Sequence, residues 1–448
     1  MNDDPQLIVD IYNIFLPSEP LPPGDPLYVN CEELRGDSNI EQQLGRKIVR
    51  ANTSTCQLYT GHTGSGKSTE LLRLKKYLED NRCFVVYFSA DEEDIDSEDT
   101  QYSDILLACT RHLLQDVEQT NPDPILHWLR DRWSGLKELG LTQVSLENLG
   151  IEAAIATFGK ITANLRTEPT QRARIRQLVQ PHTITLIKAL NKFIDDAKNH
   201  LPLEKTKLVI IVDSLEKVTP TIQEDNRTNH EHIFIDRSNQ LQGLNCHVIY
   251  TVPISLRYSD RAPDLFDRYG DIPVLPVIKI KELNSDVLSE AGLSKLKEII
   301  TKRVARVNKD LSLETEVFEN REILDRFCAM SGGHVRHLIQ LMQEALNEID
   351  ELPITEKAAR RAIGVLKSIY RIAIREEQWS LLREVAANNK ILNSDKYRDL
   401  LLNRSLLEYI TVDESGESEI WHDVHPVVKE LPEFSNGQAS PVVLRQGT

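Results

Sequence analysis

Gly61-His62-Thr63-Gly64-Ser65-Gly66-Lys67-Ser68 fits the pattern G-x-x-x-x-G-K-[ST]. Its flanks match the context this pattern requires. Cys56 to Thr60 reads as a short apolar strand. Lys67 to Glu79 reads as an amphipathic helix, with Leu71, Leu72, Leu74 and Leu78 on its apolar side. The glycines let backbone N–H groups converge on phosphate oxygens, and the new helix turns its positive end toward the same charge. Lys67 is expected to reach the β- and γ-phosphates, and the Ser68 hydroxyl to ligate Mg²⁺. The stretch Gly61 to Thr69 is therefore the candidate binding segment for ATP (or GTP) with Mg²⁺.

Such a loop needs an acid to hold the metal's water shell. Leu208-Val209-Ile210-Ile211-Val212-Asp213 is an apolar strand that ends in a carboxylate. Asp213 is the candidate second metal residue beside Ser68. Ser214 follows it, so no acid stands directly after Asp213. Glu216 is the nearest, and it either polarises a water or pairs with a neighbouring cation. Position alone does not fix the geometry that general-base work requires. Slow hydrolysis is the expectation.

Outward from these boxes the chain alternates strand and helix, which predicts an α/β fold built on a parallel sheet. Cys83 to Ser89 and His247 to Val252 are further strands. Ile272 to Ile280 is a fifth, at an edge or broken, because Pro273 and Pro276 lack the ladder donor. Residues 30–282 form the expected core, with a helical insertion over about 100–180. Within it, Asp91 to Asp99 reads as a solvated acidic loop, and Ile151 to Gln180 is ambiguous and basic. Residues 283–375 read as a helical lid. In 376–434, two helices (Trp379 to Ala386, Asp395 to Leu407) precede a hairpin (Tyr409 to Val412, Glu419 to Trp421). That order is the winged-helix arrangement. Six prolines in 1–29 predict an extended lead-in, and 435–448 reads as a loose tail.

The 448 residues carry a formal net charge of −16, which disfavours non-specific binding to a polyanion. Six scattered cysteines, with no C-x-x-C, read as reduced core residues and fit a cytoplasmic protein. No run of about 18 apolar residues marks a membrane span.

With both boxes in place, the chain resembles the ASCE group of P-loop NTPases. More narrowly it looks like the STAND signalling ATPases and their AAA+ relatives of the origin-recognition type, over roughly residues 30–430. The resemblance implies a strand order of 5-1-4-3-2. It also implies a nucleotide pocket lined by the box at Leu34-Arg35-Gly36-Asp37, with Arg35 the candidate contact. Thr251, in Tyr250-Thr251-Val252-Pro253, occupies the sensor 1 position, with Arg257 an alternative. Arg336, in Ser331-Gly332-Gly333-His334-Val335-Arg336, resembles the sensor 2 region. Trp421-His422-Asp423-Val424 resembles the Met-His-Asp box, whose His closes on bound ADP. His422 is the candidate, and His425 competes with it. The whole chain also looks like a group of bacterial ATP-binding P-loop proteins, frequent in cyanobacteria.

Three functions stay open on these grounds. The first is a nucleotide-dependent switch in signalling or defence, whose effector comes from protein partners or a homo-oligomer. The second is an ATPase of a DNA transaction. Against it, the expected recognition helix sets Lys396, Arg398 and Arg404 against Asp395, Asp399 and Glu408, and the basic stretch Arg166 to Arg176 usually marks a solvated face. The third is a nucleotide-holding scaffold without turnover.

Overall fold

A computed structural model describes residues 5–16, 19–117, 120–142, 146–202, 204–391 and 395–435. The chain divides into two compact units. One comprises Asn39–Gly61 and Ser68–Val274. The other comprises Met1–Ser38, His62–Lys67 and Leu275–Thr448.

The first unit holds the sheet strands β1 (Cys56–Gly61), β2 (Cys83–Ser89), β3 (Lys207–Asp213) and β4 (His247–Thr251). With β5 (Val274–Leu275) the sheet runs β2-β3-β4-β1-β5, the expected order read from its other edge. β2 pairs with β3, β3 with β4 and β4 with β1, all parallel. Their apolar runs are buried, as a parallel sheet covered on both faces requires. The register aligns Ser89 with Asp213 and Tyr59 with Thr251 at the carboxyl ends. That edge is where open parallel sheets bind their ligands.

The insertion is helical throughout its longer elements, including Tyr102–Asp116, Ile151–Thr167 and Pro169–Val179. It shares one apolar core with the sheet: Leu113, Phe158 and Ile161 lie in the same cluster as Ile210 and Val212. The acidic stretch is exposed at Glu92, Glu93, Glu98 and Asp99, as its composition suggests, but it is anchored at Asp94. Asp94 is fully buried, with Arg111 at 3.0 Å and His112 at 2.8 Å. Arg172 binds Asp96 and Asp99, and Arg176 binds Asp99 and Asp104. Arg172 and Arg176 of the basic stretch are thus paired with carboxylates, while Arg174 is exposed. Buried guanidinium groups need such partners, because desolvation would otherwise outweigh their attraction.

In the second unit, Pro5–Ile14 is a helix rather than extended chain. Five of the six prolines come after Ile14, and Pro5 occupies the first helical turn, where its missing N–H does no harm. Ile11 and Phe15 are fully buried. Four longer helices follow: Glu290–Val307, Arg321–Met330, Val335–Asn347 and Glu356–Ala373. Each starts behind a side chain that accepts an early backbone N–H: Ser289, Asn320, His334 and Thr355. Helices Gln378–Asn388 and Arg398–Leu402 then lead into a hairpin of β6 (Leu406–Val412) and β7 (Ser418–Val424). Tyr409 stacks on Trp421 across it, with ring centroids 4.5 Å apart.

The fifth strand is shorter than expected, two residues instead of nine. Pro273 and Pro276 bracket it, and the chain beyond spends its N–H groups elsewhere. Val277 donates to Glu408 O, Ile278 to Gly333 O and Lys279 to Leu34 O. The expected tail, 435–448, lies outside the described residues apart from Ser435.

Candidate functional site

The loop itself is built by tying back its carbonyl groups. Lys67 Nζ donates to His62 O at 3.1 Å. His334 Nε2 lies 3.0 Å from Thr63 O, the Arg336 N–H donates to Gly64 O at 3.3 Å, and an Arg35 guanidinium nitrogen donates to Ser65 O at 2.8 Å. Four consecutive carbonyls therefore face protein donors. In a planar trans peptide the next N–H points the opposite way. Among the described residues, the N–H groups of Thr63, Gly64 and Gly66 make no hydrogen bond within the protein. The Ser65 hydroxyl is buried and likewise unpartnered. Buried or converging donors left open in this way call for an acceptor-rich ligand.

Gly64 shows why the pattern needs glycine there. Its φ is +92°, and an added Cβ would lie 2.8 Å from Arg336 Cβ and 2.9 Å from His334 Cε1. The first turn of the helix Val335–Asn347 sits directly on the loop. Arg35 and Arg336, both expected to touch nucleotide, are placed against the loop backbone. Arg35 reaches it from the short helix Glu32–Arg35, followed by Gly36 in the left-handed region.

His62 and His334 are the residues whose role the sequence hid. Both are buried. His62 Nδ1 lies 3.2 Å from Leu401 O, and the Glu408 N–H donates to His62 Nε2 at 3.0 Å. Burial pushes the His62 pKa down to about 3. The Glu408 charge opposes this, while Lys67 and Arg404 reinforce it. A histidine at a variable position of the pattern carries no signal of its own. Its two ring partners come from residues more than 300 positions away.

Behind His334 stands a row of buried rings. The His337 N–H donates to His334 Nδ1, and His337 Nδ1 lies 3.0 Å from His425 Nε2. The Val427 N–H donates to His425 Nδ1. His425 must then carry its hydrogen on Nε2 and donate to His337, so each ring is neutral with one tautomer. Burial lowers all three pKa values, that of His425 to about 3. Arg404 is a cation that faces all three, and Arg336 also faces His337. Arg404 lies just past the helix Arg398–Leu402 with φ +64°, and its backbone oxygen accepts from Tyr370 at 3.1 Å. Its Nε is buried.

Of the two hairpin candidates, His425 belongs to this row. His422 Nε2 lies 3.6 Å from a Glu408 carboxylate oxygen across the hairpin. The neighbouring Asp423 is clamped by Lys281 at 2.6 Å and Lys429 at 2.7 Å.

The hydroxyl of Ser68 and the acids belong to the unit that holds the sheet. Gly61 ends β1, Ser68 and Thr69 lie in the first turn of the helix Lys67–Asp80, and Asp213 ends β3. Asp213 is buried and hydrogen-bonded by Ser68, by the Tyr87 hydroxyl at 2.8 Å and by the Ser214 N–H at 2.6 Å. Burial raises its pKa, the nearby Glu216 charge raises it further, and these three donors oppose the rise. A carboxylate held out of water beside a second acid is what a divalent cation stabilises. Ser68 and Asp213 thus fit the Mg²⁺ expected with a nucleotide.

Thr251 is fully buried, and its hydroxyl accepts from the Leu215 N–H at 2.9 Å, bracing the turn after Asp213. Ser214 in that turn has φ +67°. The Ser89 hydroxyl donates to it at 2.8 Å. Arg257 ends the short helix Ile254–Arg257. Among the described residues, no group of three or more His, Cys, Asp or Glu side chains forms a metal cluster. No helix there is long and apolar enough to cross a membrane.

No protein-family model matches the sequence, and no curated protein matches it. Solved structures similar in architecture include the Cdc6 protein of Pyrobaculum aerophilum, at TM-score 0.40 and 11% identity over 93% of this chain and 94% of that one. The ORC1 protein of Aeropyrum pernix, solved in complex with DNA, matches at TM-score 0.38 and 11% identity over 92% and 93%. A Walker-type ATPase of Pyrococcus abyssi matches at TM-score 0.43 and 12% identity over 91% and 97%.

Proposed function

We propose that the chain binds ATP with Mg²⁺ at Gly61 to Thr69 and acts as a nucleotide-dependent conformational switch with slow turnover. The observation that carries this is the loop whose carbonyls from His62 to Ser65 are tied back while the N–H groups of Thr63, Gly64 and Gly66 stay open. Lys67 and those amides hold the phosphates, and Ser68 with Asp213 holds the metal, which neutralises phosphate charge when bound. Slow turnover follows from the turn after Asp213, where Ser214 replaces an acid and Glu216 is the nearest carboxylate. Glu216 is the proposed water-orienting residue, and Thr251 holds the turn that presents it.

The second half of the proposal concerns the C-terminal segment. Its helices and hairpin act as a winged helix that contacts the loop rather than DNA. Of the basic residues weighed for the DNA-transaction reading, Arg172 and Arg176 bind carboxylates and Arg404 faces the histidine row. A switch needs differential affinity of the nucleotide for two packings. Contacts between loop and C-terminal segment supply the means.

Calorimetry of the purified, nucleotide-free chain tests the binding reading. Heat is expected with Mg·ATP or Mg·ADP, and Ser68→Ala should weaken Mg·ATP binding about tenfold, the loss of one charge-assisted ligand. Absence of heat with every magnesium nucleotide would end the proposal. Phosphate release tests turnover. Glu216→Gln should lower it about tenfold or more if Glu216 orients the water, and equal release by variant and wild type would remove Glu216 from the mechanism.

A further inference from the structure

His62 is a loop residue whose ring is turned into the protein, only 1% exposed. The Leu401 carbonyl can only accept, so His62 Nδ1 carries the hydrogen in their 3.2 Å contact. The Glu408 N–H can only donate, so Nε2 holds the lone pair at 3.0 Å. One neutral tautomer satisfies both, and both partners belong to the C-terminal segment. Leu401 lies near the end of the helix Arg398–Leu402, and Glu408 lies in β6. We propose that His62 is a positioning residue that couples phosphate occupancy of the loop to the position of the C-terminal helix and hairpin. This rests on the nucleotide reading above and names the contact through which the switch works.

The physical argument starts from peptide planarity. The carbonyl of His62 and the N–H of Thr63 are one rigid unit. Drawing the Thr63 and Gly64 amides onto a phosphate rotates that unit and with it the Cα of His62. The ring cannot follow freely. It is packed on all sides and held at both nitrogens, so a shift either drags Leu401 and Glu408 or breaks a buried hydrogen bond. Two-site coupling is commonly about 5- to 150-fold in affinity, which the loss of one such bond suffices to provide. The coupling is reciprocal. A C-terminal segment held away from His62 would leave the loop less ready for phosphate.

Amide hydrogen exchange at Glu408 reads the contact directly. In wild type, saturating Mg·ADP or a non-hydrolysable Mg·ATP analogue should change exchange at Glu408 about fivefold or more. His62→Ala leaves that N–H without its acceptor. Its exchange should rise at least about tenfold and become the same with and without nucleotide. His62→Gln, which keeps an acceptor near Nε2, should recover part of the protection. The idea is overturned if calorimetry shows wild type binding nucleotide while exchange at Glu408 stays constant. It is equally overturned if His62→Ala keeps a nucleotide-dependent difference. No heat at all would sink the nucleotide reading and this one with it, which calorimetry separates from a failure of coupling alone. Should the alanine variant not fold, ¹⁵N spectra of wild-type histidine decide. The Nδ1–H tautomer signal of His62 must shift on nucleotide addition, and an unmoved signal refutes the coupling.

Discussion

Gly333→Ala is expected to destabilise the unit containing the loop by about 3–5 kcal/mol, the range of the most damaging single substitutions. An added Cβ would stand 1.8 Å from the Ile278 carbonyl oxygen and 2.8 Å from its carbon. These are backbone atoms, and they cannot rotate aside. The same two residues are also bonded, with the Ile278 N–H donating to Gly333 O at 3.0 Å. Separating them breaks that bond as well. The φ of +75° adds the ordinary penalty of the left-handed region. Gly416 in the hairpin turn provides the control. Its φ is +84°, but nothing lies within 4 Å of an added Cβ. Gly416→Ala should therefore lose only about 1–2 kcal/mol. Chemical denaturation of both variants makes the comparison, and losses within about 1 kcal/mol of each other would contradict the close approach.

Mild acid is expected to unfold the same unit steeply. His62, His334, His337 and His425 are neutral in the fold, because burial lowers all four pKa values, those of His62 and His425 to about 3. Their pKa values in the unfolded chain are about 6.5. A depressed folded-state value means that this contribution is fully present above about pH 6.5. It is lost as pH falls, because the unfolded chain takes up protons that the fold refuses. Four histidines at about 1.4 kcal/mol per pH unit give a slope of up to about 5 kcal/mol per unit between pH 6 and 4. Net stabilities of domains are only about 5–15 kcal/mol, so unfolding should be complete near pH 4–5. Protonation in the row is opposed by cations, Arg404 facing all three rings and Arg336 facing His337. Glu408 opposes the shift only at His62. Denaturation series at pH 7, 6 and 5 give the slope, and His337→Leu should reduce it by about one proton. A wild-type slope under one proton's worth would mean that the rings are not held neutral.

The glycine loop, the acid at 213 and the α/β alternation were legible in the sequence because each rests on a local pattern, whereas the strand order came only from the family resemblance. Glycine spacing, an apolar run ending in Asp, and alternation of strand and helix are short-range signals. The edge strand was legible as weakened, through Pro273 and Pro276, though not its reduction to two residues. That depended on acceptors at Gly333, Leu34 and Glu408, far away in the chain. The pairing of Asp96, Asp99 and Asp104 with Arg172 and Arg176 was hidden for the same reason. Two charge runs of opposite sign look alike whether they meet or face water. The prolines misled at the N-terminus because their density was read over 29 residues, while the helix occupies the ten before the cluster begins. Histidines 62, 334, 337 and 425 carried no periodicity or spacing that would join them, and only the packed chain brings them together.

The turn at Ser214 limits how this chain could be re-engineered. A search for faster turnover invites the substitution Ser214→Glu, which would place a carboxylate directly after Asp213. The backbone there is already in a conformation that L-amino acids other than Asn and Asp adopt reluctantly. The hydroxyl that would be discarded also receives the Ser89 hydrogen bond. A faster variant therefore has to rebuild the hinge between Asp213 and Leu215 first and choose its carboxylate second.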